Sequence, residues 1–508
     1  MRLSQSKKIL YPAHRSFVGK YVLDSLSFGM YNHPFMILRE YIQNSVDAID
    51  DYLHGNDGDT GYSGLVDIIV DGRKKSIQII DNGIGISSQK AWHMLHDLGR
   101  SEKDPLKQRG FRGIGRLGGL GYCEELTFTT KAEGEDIVSI SVWDCRKLSS
   151  LVDEKTDHRD VAAIVGQVAT FRQDKYSGNA RDHFFSVEIG NIRSSRGMLL
   201  NVPAIKSYLS QVAPVPFHPE TFHFGNDIDK TLRKKVPSYA TYCIRVNGKV
   251  IYKPYCDRVG INQHGQEEIK GVRFFSLSND TGLLAFGWLG ELNLLGTIWP
   301  SSLVDGLRLR SGNILIGDKE NLSELYREKR FNNYMVGEVY VVDSRLIPNS
   351  RRDDFEDNEL RDDLHTCFIR DIGIPYSRKI RELSAERSRQ KKLEDANSLR
   401  ARAQTIIQYG YVAESQKQEL VQKLRELNGI KQDSWIDKDI ATLIRKVQNS
   451  KHLLSRKNSL PSINSTNLVK RVFETIYRES DNKVKAEALI ARIMTGLSSS
   501  TATAKGGL

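Results

Sequence analysis

Residues 34–50, PFMILREYIQNSVDAID, decide how this chain is read. Pro34 suits the first turn of a helix, where its missing N–H is not needed. No further Pro or Gly interrupts the run as far as Leu53, so a helix is predicted over 34–53. On it Glu40, Asn44 and Asp47 stand at i, i+4 and i+7, within roughly 60° of arc. Phe35, Ile37, Leu38, Ile42, Val46 and Ile49 occupy the other sides. A helix apolar over most of its surface is a buried one. This one keeps a single stripe of carboxylate, amide and carboxylate, which can position a water, a metal ion and a hydrogen-bond network. Taken alone, the stripe fits a solvated helix face equally well.

Two glycine-rich segments further on sharpen the reading. Ser76–Asp81, SIQIID, reads as a buried strand ending in Asp81-Asn82-Gly83-Ile84-Gly85-Ile86. Gly83 and Gly85 allow a sharp turn and close approach of the backbone to a ligand. An acid at the strand end can accept a hydrogen bond from an exocyclic amine. Gly110-Phe111-Arg112-Gly113-Ile114-Gly115 follows, then Gly118, Gly119 and Gly121. Glycines at this density leave N–H groups free to surround phosphate oxygens. Either cluster alone fits an ordinary turn; the three segments in this order make a specific pattern.

In that order they resemble the GHKL ATPases: gyrase, the ninety-kilodalton heat-shock chaperones, histidine kinases and MutL. Glu40-x-x-x-Asn44-x-x-Asp47 resembles their N-box, Asp81–Gly85 their adenine box, and Gly110–Gly115 their phosphate-facing lid, with GFRG close to the MutL form. The resemblance implies an α+β chain. Its N-terminal domain would be a Bergerat-type α/β sandwich, with helices on one face of a mixed sheet, binding ATP with Mg²⁺ and hydrolysing it to ADP and phosphate. It implies Glu40 as general base, Asn44 as the Mg²⁺ ligand and Asp81 as acceptor of the adenine amino hydrogen. Gly83 and Gly85 would admit the base. Gly110, Gly113, Ile114 and Gly115 would line the phosphates, Ser101 and Lys103 would stand near them, and Asp47 would support the pocket. Relatives carry a Gly-Thr pair at the start of a later strand; here His183-Phe184-Phe185-Ser186 stands there, and the adenine-side hydroxyl is unassigned.

The strands expected around this site are Leu65–Asp71 and Ser76–Asp81, joined at Asp71-Gly72, then Leu126–Thr130, Ile137–Trp143, Val161–Arg172 and Phe184–Ile189. Residues 1–215 are read as the ATP-binding domain and 216–372 as an α/β middle domain. The latter is expected to open with a hairpin at Asn247-Gly248 and to contain strands at Leu283–Trp288, Gly306–Arg310, Asn313–Gly317 and Val336–Val342. The run DSRLIPNSRRDDFE, 343–356, resembles the heat-shock-90 middle domain, in which an arginine reaches the γ-phosphate. That arginine falls on Arg351 or Arg352. Without the resemblance, the pair reads as surface arginines among Asp353, Asp354 and Glu356.

From about Pro375 the composition turns to charged amphipathic helix, and 373–508 is read as a helical region with a linker at Ser455–Thr466 and a disordered tail from Ser498. The 508 residues carry a net charge of +11, which permits nucleic-acid binding without requiring it. No run of 18 apolar residues argues for a membrane span. The N-terminus lacks a signal-peptide core, and five scattered cysteines without a CxxC pair suit a reducing cytoplasm. The resulting expectation is a cytoplasmic, dimeric, ATP-gated clamp acting on a protein client. The alternative is a nucleic-acid clamp resembling MutL or the MORC proteins in genome or anti-phage defence. Residues 1–33 are too few for the phospho-accepting hairpin of a histidine kinase, which is therefore not expected.

Overall fold

The computed structural model describes residues 19–24, 33–55, 62–98, 115–154, 159–262, 264–411, 413–428, 434–452 and 463–503. Chain contacts divide it into two compact units, 1–380 and 381–508. The first unit is α+β and the second helical.

The helix anticipated from Pro34 runs over Met36–Gly55, with Pro34 in the turn before it. It lies on an eight-stranded sheet built from β1 (Leu65–Asp71), β2 (Ser76–Asp81), β3 (Glu125–Lys131), β4 (Ile137–Asp144), β5 (Ala169–Lys175), β6 (Phe184–Gly190), β7 (Cys243–Val246) and β8 (Lys249–Val250). Their spatial order is β5-β4-β3-β6-β2-β1-β7-β8. Every pair is antiparallel except β1–β7, so the sheet is mixed. The strands alternate, with Val66, Ile68 and Val70 of β1 buried and Ile69 exposed. The buried face meets Ile37, Leu38, Ile42, Val46 and Ile49 of the helix and apolar residues of four further helices, Ser88–His96, Cys145–Asp153, Val161–Val168 and Val202–Val212. That one-sided core is how a half-buried sheet is stabilised.

Two expectations are corrected here. Val161–Arg172 is not one strand: Val161–Val168 is a helix, and β5 starts at Ala169. Asp160 accepts from Ala162 N at 3.3 Å as N-cap, and Val161, Ile164, Val165 and Val168 share the i, i+3, i+4, i+7 face that is buried. Apparent alternation suggested a strand, and the period of burial decided otherwise. The Asn247-Gly248 hairpin does form, with both residues at positive φ, but it extends the first sheet instead of opening a second one. Asn247 Oδ1 accepts from Val70 N (2.8 Å) and its Nδ2 donates to Val70 O (3.2 Å), while Ile244 and Val246 enter the first core.

The second sheet holds β11 (Val272–Asn279), β12 (Gly282–Gly290), β13 (Gly306–Ser311), β14 (Ile314–Leu315) and β15 (Val336–Val341), in the order β11-β12-β15-β13-β14. β9 (Arg258–Ile261) and β10 (Gly265–Glu268) form a separate ribbon. Sequence reading passed over β9 to β11: β9 and β10 are four residues each, and β11 buries only Leu277. Every residue of β15 is buried, and its Glu338 anchors a buried charge cluster.

In residues 381–508, Ala403, Ile406, Leu420, Leu424, Ile440 and Val447 form one small core, and Phe473, Tyr477, Ala486 and Ile490 another. Arg402 and Glu487 pair at 2.8 Å, both buried. The helix Ile463–Glu479 begins inside the expected linker, and Lys483–Thr503 carries helix into the expected disordered tail, whose residues 504–508 lie outside the described residues.

Candidate functional site

The Met36–Gly55 helix is tied to both glycine-rich segments. Tyr41 Oη donates to Arg116 O at 2.9 Å and accepts from Gly119 N at 3.0 Å, which fixes the 3₁₀ turn Gly115–Gly121 against the helix. The Ala48 carbonyl accepts from Ile84 N at 3.0 Å, which docks the loop after β2. The loop after β2 and the described part of the second glycine-rich segment, from Gly115 on, therefore meet along one helix. Glu40 and Asp47 are buried and Asn44 is half-buried. Lys103, Gly110, Gly113 and Ile114, with Ser101, lie outside the described residues.

The glycines are set close. A Cβ on Gly83 would lie 2.6–2.9 Å from Ala48 atoms. Gly85 has φ +66°, and its Cβ would fall 2.0 Å from Lys131 O. A Cβ on Gly115 would lie 3.0 Å from Glu40 Oε2. Asp81 is buried at the end of β2 and accepts from Gly83 N at 3.0 Å. In the β2–β6 register Phe185 stands opposite Asp81, so the residue facing that carboxylate has no hydroxyl; Ser186, one place on, bonds Gln78. Ile86 N donates to Thr130 Oγ1 (2.9 Å), which donates to Phe184 O (3.1 Å).

The loop after β15 reaches the same helix. Arg352 Nε lies 3.1 Å from Glu40 Oε1, although 312 positions separate the two residues in sequence. Arg351 is exposed. Arg352 has φ 55°, a left-handed conformation uncommon for a residue with a side chain. The backbone there is held from two sides: Gly317 N donates to Arg352 O (2.8 Å), and Arg39 donates through Nη2 to Arg351 O (2.8 Å) and through Nη1 to Arg352 O (3.4 Å). Arg39 Nη2 also lies 3.6 Å from Glu40 Oε1. Sequence reading missed Arg39, whose only signal was an arginine beside the N-box acid. It also missed Tyr41, Tyr62, Thr130 and His183, which hold backbone and belong to no motif.

Electrostatics follow from burial. Burial pushes the Tyr208 phenol up to about 12, with Arg39 opposing and Glu40 adding to it. Burial pulls the Arg116 guanidinium down to about 10, opposed by Asp97. Both keep their usual protonation at neutral pH.

The donor set fits a magnesium nucleotide. Among the described residues no three His, Cys, Asp or Glu side chains are grouped to hold a metal ion. Mg²⁺ shared between one protein oxygen, phosphates and water needs no such group. Asn44, half-buried one helical turn from Glu40, carries a hard oxygen of the kind Mg²⁺ takes. Gln43 is fully buried, and neither amide atom meets a protein partner among the described residues.

Comparison with known proteins agrees with this geometry. The family described as "Histidine kinase-, DNA gyrase B-, and HSP90-like ATPase" matches residues 31–174. The domain carried by those residues belongs to the GHKL ATPase superfamily. The chain is 29% identical over 133 residues to the DNA mismatch repair protein MutL of Borreliella afzelii (strain PKo), covering 25% of this chain and 20% of that protein. It is 30% identical over 136 residues to the chaperone protein HtpG of Mycolicibacterium gilvum (strain PYR-GCK), covering 23% of this chain and 21% of that one. The matched segment thus spans only about a fifth of the length of these curated relatives. Among the described residues no helix is long and apolar enough to cross a membrane.

Proposed function

We propose that this protein binds ATP with Mg²⁺ and hydrolyses it, with closure of its two sheets and pairing of two copies gating turnover. The supporting observation is that Arg352, from the loop after β15, lies against Glu40 on the Met36–Gly55 helix. A carboxylate and a cation 312 positions apart in sequence converge there. Bound Mg²⁺ would neutralise phosphate charge and be held by the Asn44 amide oxygen. Glu40 would take the proton of the attacking water. Asp81 would accept the adenine amino hydrogen, and Gly85 would let the base lie against the backbone. Gly110, Gly113, Ile114 and Gly115 would donate N–H groups to the phosphates, with Lys103 nearby and Asp47 ordering pocket waters. Arg352, in preference to Arg351, would leave Glu40 for the γ-phosphate, where a guanidinium stabilises the charge that builds on the transferred group. Until then its contact with Glu40 withholds the base.

Glu40→Ala should keep ATP affinity and lose turnover by about 10²–10⁴-fold, whereas Asp81→Asn should lose binding. Wild-type turnover in Glu40→Ala would overturn the assignment. A protein client is supported by the match to HtpG, and a nucleic-acid partner by the match to MutL and the net charge of +11. A duplex-DNA mobility shift that weakens steeply with salt would select the second.

A further inference from the structure

The loop after β2 is fastened from several sides, and one fastener comes from a residue outside every motif. Tyr62 Oη donates to Asn82 O at 2.7 Å, Ala48 O accepts from Ile84 N, and Thr130 Oγ1 accepts from Ile86 N. His183 Nδ1 lies 2.7 Å from Gly83 O. A carbonyl oxygen can only accept, so Nδ1 carries the hydrogen. The imidazole stacks on Tyr52, with centroids 4.0 Å apart and planes 18° apart, and Tyr62 lies 6.0 Å away.

His183 immediately precedes β6, which pairs with β2 and sets Phe185 opposite Asp81. The histidine and the acid therefore grip one residue: Asp81 Oδ1 takes the N–H of Gly83, and His183 takes its C=O. Gly83 has no side chain to hold it and no room for one, since a Cβ would lie 2.7 Å from the Ala48 carbonyl carbon. The orientation of the Asp81 carboxylate thus depends on a glycine whose two flanking peptides are held, one by Asp81 itself and the next by His183.

We propose that His183 is a positioning residue for nucleotide binding: its Nδ1–H, donated to Gly83 O, sets the turn that presents Asp81 to the purine amino group. The inference rests on the ATP-site reading above. His183 acts on affinity, through Gly83 and Asp81, and leaves the hydrolytic groups untouched.

The test is calorimetric titration of the full chain with ADP and Mg²⁺, comparing wild type with H183N, H183L and H183F. Asparagine places an amide donor near the position of Nδ1. Leucine has nearly the same shape without a donor, and phenylalanine keeps a ring without one. H183N should bind ADP within about threefold of wild type. H183L and H183F should bind about tenfold or more weakly, the loss expected when a buried acceptor goes unpaired. Turnover at saturating ATP should be unchanged within about twofold. The Asn/Leu pair carries the test even if the phenylalanine variant fails to fold, which a melting curve without ligand reveals. Equal affinities for H183N and H183L, or wild-type affinity in H183F with loss in H183N, would overturn the proposal alone. Failure of the wild type to bind ADP would overturn the ATP-site reading along with it.

Discussion

Replacing Lys253 with methionine tests the charge cluster that joins the two sheets. Lys253 Nζ lies 3.0 and 2.9 Å from the two oxygens of Glu338, and both side chains are wholly buried. Arg310 bonds the same carboxylate and also donates to Asn313 O (3.0 Å) and to Gln211 O (2.6 Å), the latter on the helix Val202–Val212 of the first core. One anion serves two cations. Against burial, Arg310 and Lys253 hold Glu338 down to about 2. Burial, then Arg310, pull Lys253 down to about 7 from 10.5, with Glu338 only partly opposing. Between those two values the unfolded chain binds more protons at this lysine than the folded chain. Stability therefore rises with pH from about 7 to about 10.5 and carries the full cost of the buried ammonium below 7. At 1.36 kcal/mol per unit that cost is at most about 5 kcal/mol. Urea unfolding of the wild type followed by tryptophan fluorescence should show this rise. Lys253→Met should be flat through the same window and at least as stable as wild type at pH 6, because the Arg310–Glu338 pair is left balanced. Glu338→Gln should instead cost about 3–5 kcal/mol by leaving buried cations without their anion. A flat wild-type profile, or a loss of 3 kcal/mol or more in Lys253→Met at pH 6, would refute the surplus-cation argument.

Arg352→Met should lower turnover by on the order of a thousandfold with ATP affinity nearly kept, and Arg351→Met should leave turnover close to wild type; single-turnover rates separate them. Gly85→Ala should abolish nucleotide binding and lower the melting temperature, whereas Gly134→Ala, also at positive φ (+78°) but with nothing within 4 Å, should cost only the roughly 1–2 kcal/mol of a left-handed alanine. If two copies pair during the cycle, specific ATPase rate should rise with protein concentration; a constant rate measured through the dissociation range would exclude pairing as the gate.

Local chemistry made much of the site legible in the sequence. The polar stripe of Glu40, Asn44 and Asp47, the strand ending at Asp81 and the paired glycines are short-range patterns, written in neighbouring residues whose spacing fixes their geometry. Most strands of the first sheet were legible for the same reason, through alternation, whereas β12 and β15 of the second are mostly apolar runs buried nearly throughout. Where apparent alternation and the period of burial disagreed, as in Val161–Val168, burial on a helical face prevailed, because packing against the sheet outweighs β-branched propensity.

The sequence by itself determined the Met36–Gly55 helix, the glycine turn after β2 and an α+β chain that fits the GHKL superfamily, since each rests on residues a few positions apart. Only the tertiary structure brought Arg352 to Glu40, moved the Asn247-Gly248 hairpin to the first sheet, and brought His183 to Gly83 and Arg39 to the Arg351–Arg352 backbone. These are contacts across 100 to 313 positions. They depend on which backbone group the folded chain leaves within reach of a donor, and no local spacing encodes that.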